Sequence, residues 1–186
     1  RPVYRHYSYR FMCKKLGHGS NYGGRPDTLA TQTRLPITVV ESFQPGYFRA
    51  FPAHKLWHDW VDRTIRKTGQ LTSLTGRRRY FFGRRTSDDV FREAVAYDPQ
   101  GSLADIVNRA MLRIWRQHYA ILMFQDHDAL TFMYPESHED EIVPRIMSDL
   151  PETILLKHSH TLTIPYDCKT GWNKGDYDAC KNPDGL

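Results

Sequence analysis

The sequence predicts an α+β protein, with helices in its first part and short antiparallel strands between helices in the rest. Apolar residues at helical spacing indicate the helices, and pairs of short apolar segments around turn residues indicate hairpins. The 186 residues are 40% hydrophobic and 13% aromatic. That is enough apolar material for a core, and it excludes a mostly disordered chain.

Helices are predicted through the first part of the chain. Residues 4–18 are aromatic and basic without proline, and a glycine-rich stretch at 17–24 ends that helix. A turn at 26–28 leads into a short helix over 29–33, and Pro36 suits the first turn of the next helix. Residues 54–67 carry one apolar face, and Gly69 ends that helix.

Hairpins and helices alternate in the remainder. Strands at 71–74 and 80–82 flank Gly76, and a second apolar pair at 120–124 and 129–134 has a polar tip at 125–128. Residues 88–118 are predicted to form one long helix or two abutting ones, with a kink or break at 99–101. The last predicted elements are an acidic helix at 136–149, a strand carrying Leu162, Ile164 and Tyr166, and a loop after Gly175. No linker is long enough to separate independent domains.

Basic residues form two clusters. Lys and Arg number 26 against 21 Asp and Glu, so the formal net charge is +5. The clusters comprise Arg77, Arg78, Arg79, Arg84, Arg85 and Arg92, and near the amino terminus Arg1, Arg5, Arg10, Lys14 and Lys15. Such clusters suit a polyanion such as nucleic acid, although a solvated charged face explains them equally well.

Composition also excludes some classes of protein. No apolar run approaches the ~20 residues of a membrane span, and the first residues lack the apolar core of a secretion signal. The three cysteines lack CxxC spacing, which fits a reduced protein. We therefore expect an intracellular location: cytoplasm, a phage-infected host cell or an organelle matrix.

A basic stripe is predicted on the first helix. Arg10, Lys14 and His18 follow one another at four-residue steps, so they lie along one side of a helix, with Tyr22 at its end. Two cations and an imidazole in this arrangement can bind a polyphosphate, and the tyrosine can stack on a base. An ordinary basic surface face is the alternative.

The second hairpin has an acidic tip, Asp126-His127-Asp128. A carboxylate held at a tight turn between buried strands is a well-fixed ligand for a hard divalent cation such as Mg²⁺. Two such metals commonly serve phosphoryl transfer to a DNA 3′-hydroxyl. Acidic residues are also common in turns for structural reasons alone.

Two further patterns carry less information. Arg92 and Gln100 could reach sugar and minor-groove acceptors of DNA while Gly101 permits close approach, although a capped, kinked helix explains them as well. His54 and His58 stand four residues apart without a third ligand of clear spacing. We predict that these histidines lie on a helix surface and do not bind zinc.

In their order along the chain, these patterns resemble the family A DNA polymerases. Arg10-x3-Lys14-x7-Tyr22-Gly23 resembles the family's motif B, and Gln125-Asp126-His127-Asp128 resembles its motif C. Further similar segments are Gly46-Tyr47-Phe48-x2-Phe51-Pro52, Leu74-Thr75-Gly76-Arg77-Arg78-Arg79, Arg92-Glu93-Ala94, Pro99-Gln100-Gly101-Ser102-Leu103-Ala104-Asp105 and Gly171-Trp172-Asn173. The resemblance is collinear from residue 10 to about 175, and its short elements look like a phage or organelle branch.

The resemblance implies a partial right-hand polymerase fold. Fingers helices, including the O-helix with motif B, would occupy residues 1–70, and a palm with antiparallel sheet and packed helices would occupy 71–186. The implied activity is template-directed nucleotidyl transfer from a dNTP to a primer 3′-hydroxyl by two-metal catalysis. Two Mg²⁺ ions are expected, with one ligand from this chain, because the motif A carboxylate would come from an upstream segment. The expected partners are therefore primer–template DNA, a dNTP and that upstream segment, and the isolated chain is expected to be inactive.

The resemblance also implies a role for individual residues. Arg10 and Lys14 would bind the phosphates of the incoming nucleotide, His18 would lie at its sugar, and Tyr22 would stack at the templating position. The expected catalytic residues are Lys14, His127 and Asp128, with Asp128 the metal ligand and His127 at the primer end. The expected DNA contacts are Arg77, Arg92, Gln100, Gln125 and His127.

There are three departures from the family pattern: the motif A carboxylate expected from an upstream segment, Ala129 and His18. The first two keep an alternative function open. Ala129 stands where a glutamate usually follows the motif C aspartate, and Asp126, at a usually apolar position, either compensates or faces solvent. His18 replaces a Phe or Tyr, which leaves sugar selectivity open. The alternative function is a non-catalytic DNA-binding subunit that retains the polymerase shape. A half-palm would leave a sheet edge uncovered, so we expect the isolated chain to aggregate or to need a partner.

Overall fold

The described part of the protein, in a computed structural model, comprises residues 2–4 and 7–185, with side chains from residue 7 onward except that of Lys157. Arg1 and Arg5, counted above among the basic residues, lie outside it. Packing divides the chain into two units, Arg1–Ser102 and Leu103–Leu186. This division does not test the predicted boundary between fingers and palm at residues 70 and 71, which stays a prediction.

The first unit consists of helices and two hairpins. Its strands are β1 (Pro2–Tyr4), β2 (Tyr7–Ser8), β3 (Gln70–Thr72) and β4 (Arg78–Tyr80). Its helices are α1 (Tyr9–Asn21), α2 (Pro26–Thr33), α3 (Ile37–Ala50), α4 (Pro52–Thr68) and the first half of α5 (Asp88–Gln117). β1 pairs antiparallel with β2, and β3 pairs antiparallel with β4 in a register that places Leu71 opposite Arg79.

The second unit continues α5 and adds two more hairpins and a helix. Its elements are β5 (Ile121–Asp126), β6 (Ala129–Met133), α6 (Glu139–Asp149), β7 (Thr153–Leu155) and β8 (Thr161–Thr163). β5 pairs antiparallel with β6, and β7 with β8. The antiparallel strands thus occur as separate hairpins in the part of the chain that the structure describes.

Each unit has its own apolar core. In the first unit, one cluster joins α1, α2 and α3, and another joins α4, β3 and the start of α5. Their buried members are Leu16, Leu29, Leu35 and Val40, and Val61, Ile65, Leu71, Phe81, Val90, Ala94, Val95 and Tyr97. In the second unit, α5 and α6 pack together through Ala110, Ile114, Ile142, Ile146 and Leu150. Burying one such aliphatic side chain stabilises the fold by about 1.5–3 kcal/mol.

The first helix begins later and ends later than predicted. It begins at Tyr9 because the Ser8 side chain accepts a hydrogen bond from the Phe11 backbone N–H at 3.2 Å. Tyr7 and Ser8 form β2, which pairs with β1, so they do not join the helix. It continues to Asn21 because Gly17 and Gly19 do not end the helix. They lie inside it, where the side chains of Tyr47 and Leu29 pack close to the helix backbone. A Cβ at Gly19 would lie 2.2 Å from the Leu29 side chain, so glycine here permits close packing of α1 against α2.

Most of the other elements follow the predictions. The short second helix is confirmed, but the turn predicted at 26–28 is wrong, because α2 already begins at Pro26, which takes the first helical position. Gly69 ends α4 in the left-handed conformation with φ +70°, as predicted. The hairpin around Gly76 (φ +90°) is confirmed. For residues 88–118 the alternative of one long helix is confirmed, because α5 is continuous through Pro99. A break at 99–101 is therefore wrong, and a kink there stays a prediction. A proline inside a helix removes one backbone hydrogen bond, and the core contacts of α5 hold the helix together across that loss.

The carboxyl-terminal region differs from the prediction in its strands. The last strand ends at Thr163, so Ile164 and Tyr166 lie beyond it, and Tyr166 packs against the core of the second unit. Its partner β7 was not predicted, because its three residues are too few for a pattern of alternation. No helix among the described residues is long and apolar enough to cross a lipid bilayer.

Candidate functional site

One exposed side of α1 carries the predicted phosphate-binding stripe. Arg10, Lys14 and His18 are exposed, whereas Leu16 on the opposite side is buried. The His18 ring lies edge-on to the half-buried Tyr22 ring, with centroids 4.9 Å apart. The structure therefore brings the four predicted nucleotide-binding residues onto one accessible side of α1 and its carboxyl-terminal end.

Side chains of α3 hold the carboxyl-terminal end of α1. The Gln44 amide donates to the Gly24 carbonyl at 2.8 Å and to the Ser20 hydroxyl at 3.2 Å. The Tyr47 hydroxyl donates to the Asn21 side-chain carbonyl at 2.8 Å. These contacts fix the segment on which His18 and Tyr22 lie, so Gln44 and Tyr47 are positioning residues that sequence reasoning missed. Tyr47 was noticed only as part of an aromatic segment.

His58 of α4 completes this anchoring and corrects a prediction. It does not lie on the helix surface, because its side chain is only 6% exposed. Its Nε2 lies 2.7 Å from the Asn21 carbonyl oxygen, and its ring meets the edges of the Phe48 and Phe91 rings. Burial lowers the pKa of His58, and the bond to the Asn21 carbonyl opposes that effect in part. His58 thus acts as a neutral anchor of α1.

The arginine-rich hairpin of β3 and β4 divides its side chains between two roles. Arg79 pairs with Glu93 and lies over the Phe81 ring, 5.2 Å from the ring centre, so it holds β4 against α5. The Arg77 carbonyl accepts a hydrogen bond from the Tyr97 hydroxyl at 2.8 Å, which places Arg77 at the exposed turn of the hairpin. Arg78 is exposed on the strand. The turn and the strand therefore present cations at the surface.

The two predicted DNA contacts on α5 lie in different surroundings. Arg92 is half-buried and its guanidinium is engaged by Asp89 of the same helix. Gln100 is exposed and follows Pro99 without interrupting the helix. Of the two, Gln100 is the more accessible to a ligand.

In the second unit, the acidic tip is tighter than predicted. Asp126 pairs with Ala129, so His127 and Asp128 alone form the turn, and His127 adopts the left-handed conformation with φ +53°. Gln125, His127 and Asp128 are all exposed. The hairpin is confirmed, but the expectation of buried strands on both sides is wrong. β5 is largely exposed. In this hairpin the β6 side chains Leu130 and Phe132 pack against the core of the unit, and most β5 side chains do not.

Asp126 has a partner that the sequence did not indicate. Its Oδ2 lies 3.3 Å from Lys174 Nζ, and the same ammonium lies 5.1 Å from the centre of the Phe124 ring. Asp126 therefore faces solvent, which was one of the two expectations, with Lys174 as its partner. It does not join Asp128 in a group of ligands. The only sequence signal for this partner was its position: Lys174 directly follows the Gly171-Trp172-Asn173 segment, which resembles a segment of the family.

The exposed carboxylate of Asp128 is chemically suited to a hard divalent cation. Among the described residues, no three side chains of the His, Cys, Asp or Glu type lie close enough to hold a metal ion together. A cation bound at Asp128 would thus take its other ligands from substrate, water or residues outside the described part of the chain.

Comparison with known proteins decides the family. A family model described as DNA polymerase family A matches residues 5–178. The chain belongs to the family A DNA polymerases. The resemblance drawn from motifs B and C is therefore confirmed, whereas the phage or organelle branch stays a prediction.

Individual relatives agree with this family. DNA polymerase I of Treponema pallidum is 32% identical over 180 residues, which cover 90% of this chain and 18% of that protein. The thermostable DNA polymerase I of Thermus thermophilus is 25% identical over 170 residues, which cover 87% of this chain and 20% of that protein. The chain thus spans about a fifth of the length of these relatives.

A solved structure confirms the fold. It is the POL domain of Pol1 from M. smegmatis in complex with DNA primer-template and dNTP, which matches with a TM-score of 0.66 at 25% identity. The match covers 74% of this chain and 26% of that one. The family A chain described here therefore has a partial right-hand polymerase fold, as its motifs predicted.

Proposed function

We propose that this chain carries the motif B to motif C region of a DNA-directed DNA polymerase, which transfers a nucleotide from a dNTP to a primer 3′-hydroxyl as the template directs. The observation that carries the proposal is the exposed stripe of Arg10, Lys14 and His18 on α1, ending at Tyr22. The stripe belongs to the segment that resembles motif B, and this segment falls within the family match at residues 5–178.

In this proposal the α1 stripe binds the triphosphate. Arg10 offers a planar fork of donors to phosphate oxygens, and Lys14 offers a compact charge that balances the charge developing on the leaving pyrophosphate. His18 contacts the sugar, and Tyr22 stacks at the templating base. The anchoring of Asn21 by Tyr47 and His58 keeps these groups in place before the substrate arrives.

The metal centre is the second part of the proposal. Asp128 would hold Mg²⁺ together with a motif A carboxylate from an upstream segment, since the described residues offer no complete ligand group. Two bound ions would supply activation of the primer hydroxyl and stabilisation of the leaving group. Asp126 is not assigned as a ligand in this proposal: its Oδ2 pairs with Lys174 Nζ, whereas Asp128 has no ion pair among the described residues.

Exposed apolar surface supports the upstream segment as a partner. Ile121, Met123, Phe124 and Met133 of the β5–β6 hairpin expose 57%, 44%, 53% and 50% of their surface. Neither strand has a second neighbour among the described residues. An apolar hairpin with free edges is a ready partner for another strand. We propose that the segment carrying motif A packs on this hairpin. Without that segment the apolar strands stay exposed, so an isolated chain aggregates.

Primer–template DNA is the proposed partner of the remaining predicted residues. Arg77 and Gln100 are exposed in the first unit and would contact the duplex, and Arg92 would join them when it exchanges Asp89 for DNA. Gln125 and His127 flank Asp128 at the exposed hairpin tip and would contact the primer end.

Primer extension tests the proposal. The chain is mixed with the upstream polymerase region of the Treponema pallidum enzyme, Mg²⁺, dNTPs and a labelled primer–template. We expect extension by the mixture and by neither part alone. Asp128→Asn should abolish extension, whereas the matched control Asp126→Asn should keep its rate within about threefold. Undiminished extension with Asp128→Asn would contradict the proposed metal ligand.

The alternative function is a non-catalytic DNA-binding subunit. Ala129, in the position where the family usually has a glutamate, favours it. In that case the mixed, associated parts would bind primer–template DNA with strong salt dependence but would not extend the primer, and Asp128→Asn would leave that binding unchanged.

A further inference from the structure

We propose that Arg78 and Tyr80 of β4, together with Phe82 just beyond the strand, bind single-stranded DNA through base stacking; these three residues are here called the aromatic strip. The occupant would be the unpaired template ahead of the primer end, so the inference rests on the proposed polymerase function. The strip follows the turn at Gly76 and lies entirely within the first unit.

Strand alternation separates this strip from the protein core. Phe81 points inward, is only 6% exposed and meets the Tyr97 ring edge-on at 6.1 Å. Its neighbours Tyr80 and Phe82 point the other way and expose 56% and 96% of their surface. Phe82 therefore contributes almost nothing to the core, and its exposure is not explained by folding.

The two outward rings form one aromatic surface. Their centroids lie 6.5 Å apart and their planes differ by 28°, so the rings are stacked. They border a recess of about 570 Å³ that is lined by residues 78–83 and Glu93. A base that stacks on the outer face of Phe82 would extend this surface, and any of the four bases can do so because each has a π face.

The charges around the strip complement a phosphate backbone. Nearby carboxylates are already paired: Asp88 with Arg25, Asp89 with Arg92 and Glu93 with Arg79. In contrast, Arg78, Arg84 and Arg85 form no ion pair with a carboxylate in the part of the chain that the structure describes. Arg78 lines the recess together with both rings, and Arg84 and Arg85 follow Phe82 closely in the sequence. Cations next to exposed rings are the combination that single-strand binding surfaces use.

This combination favours a single strand over other occupants. Bases in a duplex hide their faces in the stack, so they leave nothing for Phe82 to cover. Five arginines lie among the nine residues 77–85, and that density of charge favours a polyanion over an apolar segment of protein.

Fluorescence anisotropy of labelled oligothymidylate of about fifteen nucleotides tests the inference. The chain is assembled with the upstream polymerase region of the Treponema pallidum enzyme, in buffer without Mg²⁺, and every variant is compared in that assembly. Phe82→Ala should weaken binding about tenfold, and Phe82→Trp should restore it. Trp172→Ala is the matched control: Trp172 is 72% exposed but lies in the other unit, so affinity should stay within about twofold. Arg84→Gln should lower the slope of log affinity against log salt by about 0.7.

Two outcomes would overturn the inference. The first is an equal loss of affinity from Phe82→Ala and from Trp172→Ala. The second is that a blunt duplex of the same length binds more tightly than oligothymidylate and that Phe82→Ala has no effect. Either result would leave the proposed polymerase function intact, because the assay involves no nucleotide transfer. Conversely, the Asp128→Asn variant should bind the oligonucleotide as the parent does. Loss of nucleotide transfer can therefore be distinguished from loss of single-strand binding at the aromatic strip.

Discussion

Lys174 Nζ lies 3.3 Å from Asp126 Oδ2, so a residue of the carboxyl-terminal loop is tied to the strand that leads into the acidic tip. The Asn173 and Asn182 amides bond to each other and close the loop that carries Lys174. The pair gives Asp126, which is unusual for the family, a structural role beside the carboxylate of Asp128. It also explains why two aspartates so close in sequence need not act as one metal site.

We predict that the Lys174–Asp126 pair makes a small contribution to stability. The side chains are 49% and 61% exposed, so solvent screens their attraction. In a double-mutant cycle with Lys174→Gln and Asp126→Asn, urea unfolding should give a coupling free energy of about 0.2–1 kcal/mol. A coupling of zero would show that the pair does not persist in solution.

Gly19→Ala should destabilise the protein by about 1–3 kcal/mol, because the added methyl overlaps the buried Leu29 side chain. Gly46→Ala is the matched control. Gly46 lies within α3 with nothing near its missing Cβ, so alanine there should stabilise the protein by about 0.5–1 kcal/mol. Urea unfolding of both variants measures the two effects. Equal effects would mean that α1 and α2 do not pack closely at Gly19.

Stability should fall as the pH drops below about 6.5, in part because of His58. Its pKa is lowered in the fold, first by burial and further by the nearby cations Lys55 and His54. Between its folded and unfolded pKa values the unfolded chain binds more protons, so the free energy of unfolding decreases as pH falls. His58→Gln should lose less stability than the parent between pH 7.5 and pH 5.5. His160→Gln, which replaces an exposed histidine of the second unit, is the control and should behave as the parent does.

Lys14→Ala should reduce nucleotide transfer by the assembled enzyme at least tenfold, because a hydrogen bond to a charged phosphate contributes about 1.5–3 kcal/mol. Lys14 is exposed, so the fold should be unaffected. Lys15→Ala is the control: it removes an equal charge from α1 away from the stripe, over the Phe11 ring. Steady-state kinetics against dNTP concentration measure both. Equal losses would indicate only a general effect of net charge.

Helix positions were largely predictable, but the reasons for some residues were not. Apolar spacing over α4 and the stop at Gly69 depend on neighbours within one or two turns, so a linear pattern reveals them. The same reasoning failed at Gly17 and Gly19, which resemble a helix end in sequence. Their role is contact with Tyr47 and Leu29, which lie far along the chain, and only packing reveals it.

The candidate site shows the same division. Arg10, Lys14 and His18 share a helix, so their alignment follows from helical geometry alone. Asp128 was predictable as a turn residue, because the hairpin that carries it is local. Gln44, Tyr47 and His58 anchor the end of α1 from other helices, and no pattern within their own segments indicates that partner.

By itself the sequence determined most of the helices, the hairpins at Gly76 and at the acidic tip, the basic stripe and the family to which the chain belongs. These properties depend on local backbone geometry and on residues a few positions apart. The sequence did not reveal the β1–β2 and β7–β8 pairs. Tertiary structure alone decided that His58 is buried, that Lys174 engages Asp126 and that Phe82 faces outward beside arginines with no carboxylate partner among the described residues. Each of those outcomes depends on which distant segments pack together, and burial and charge pairing are properties of that packing.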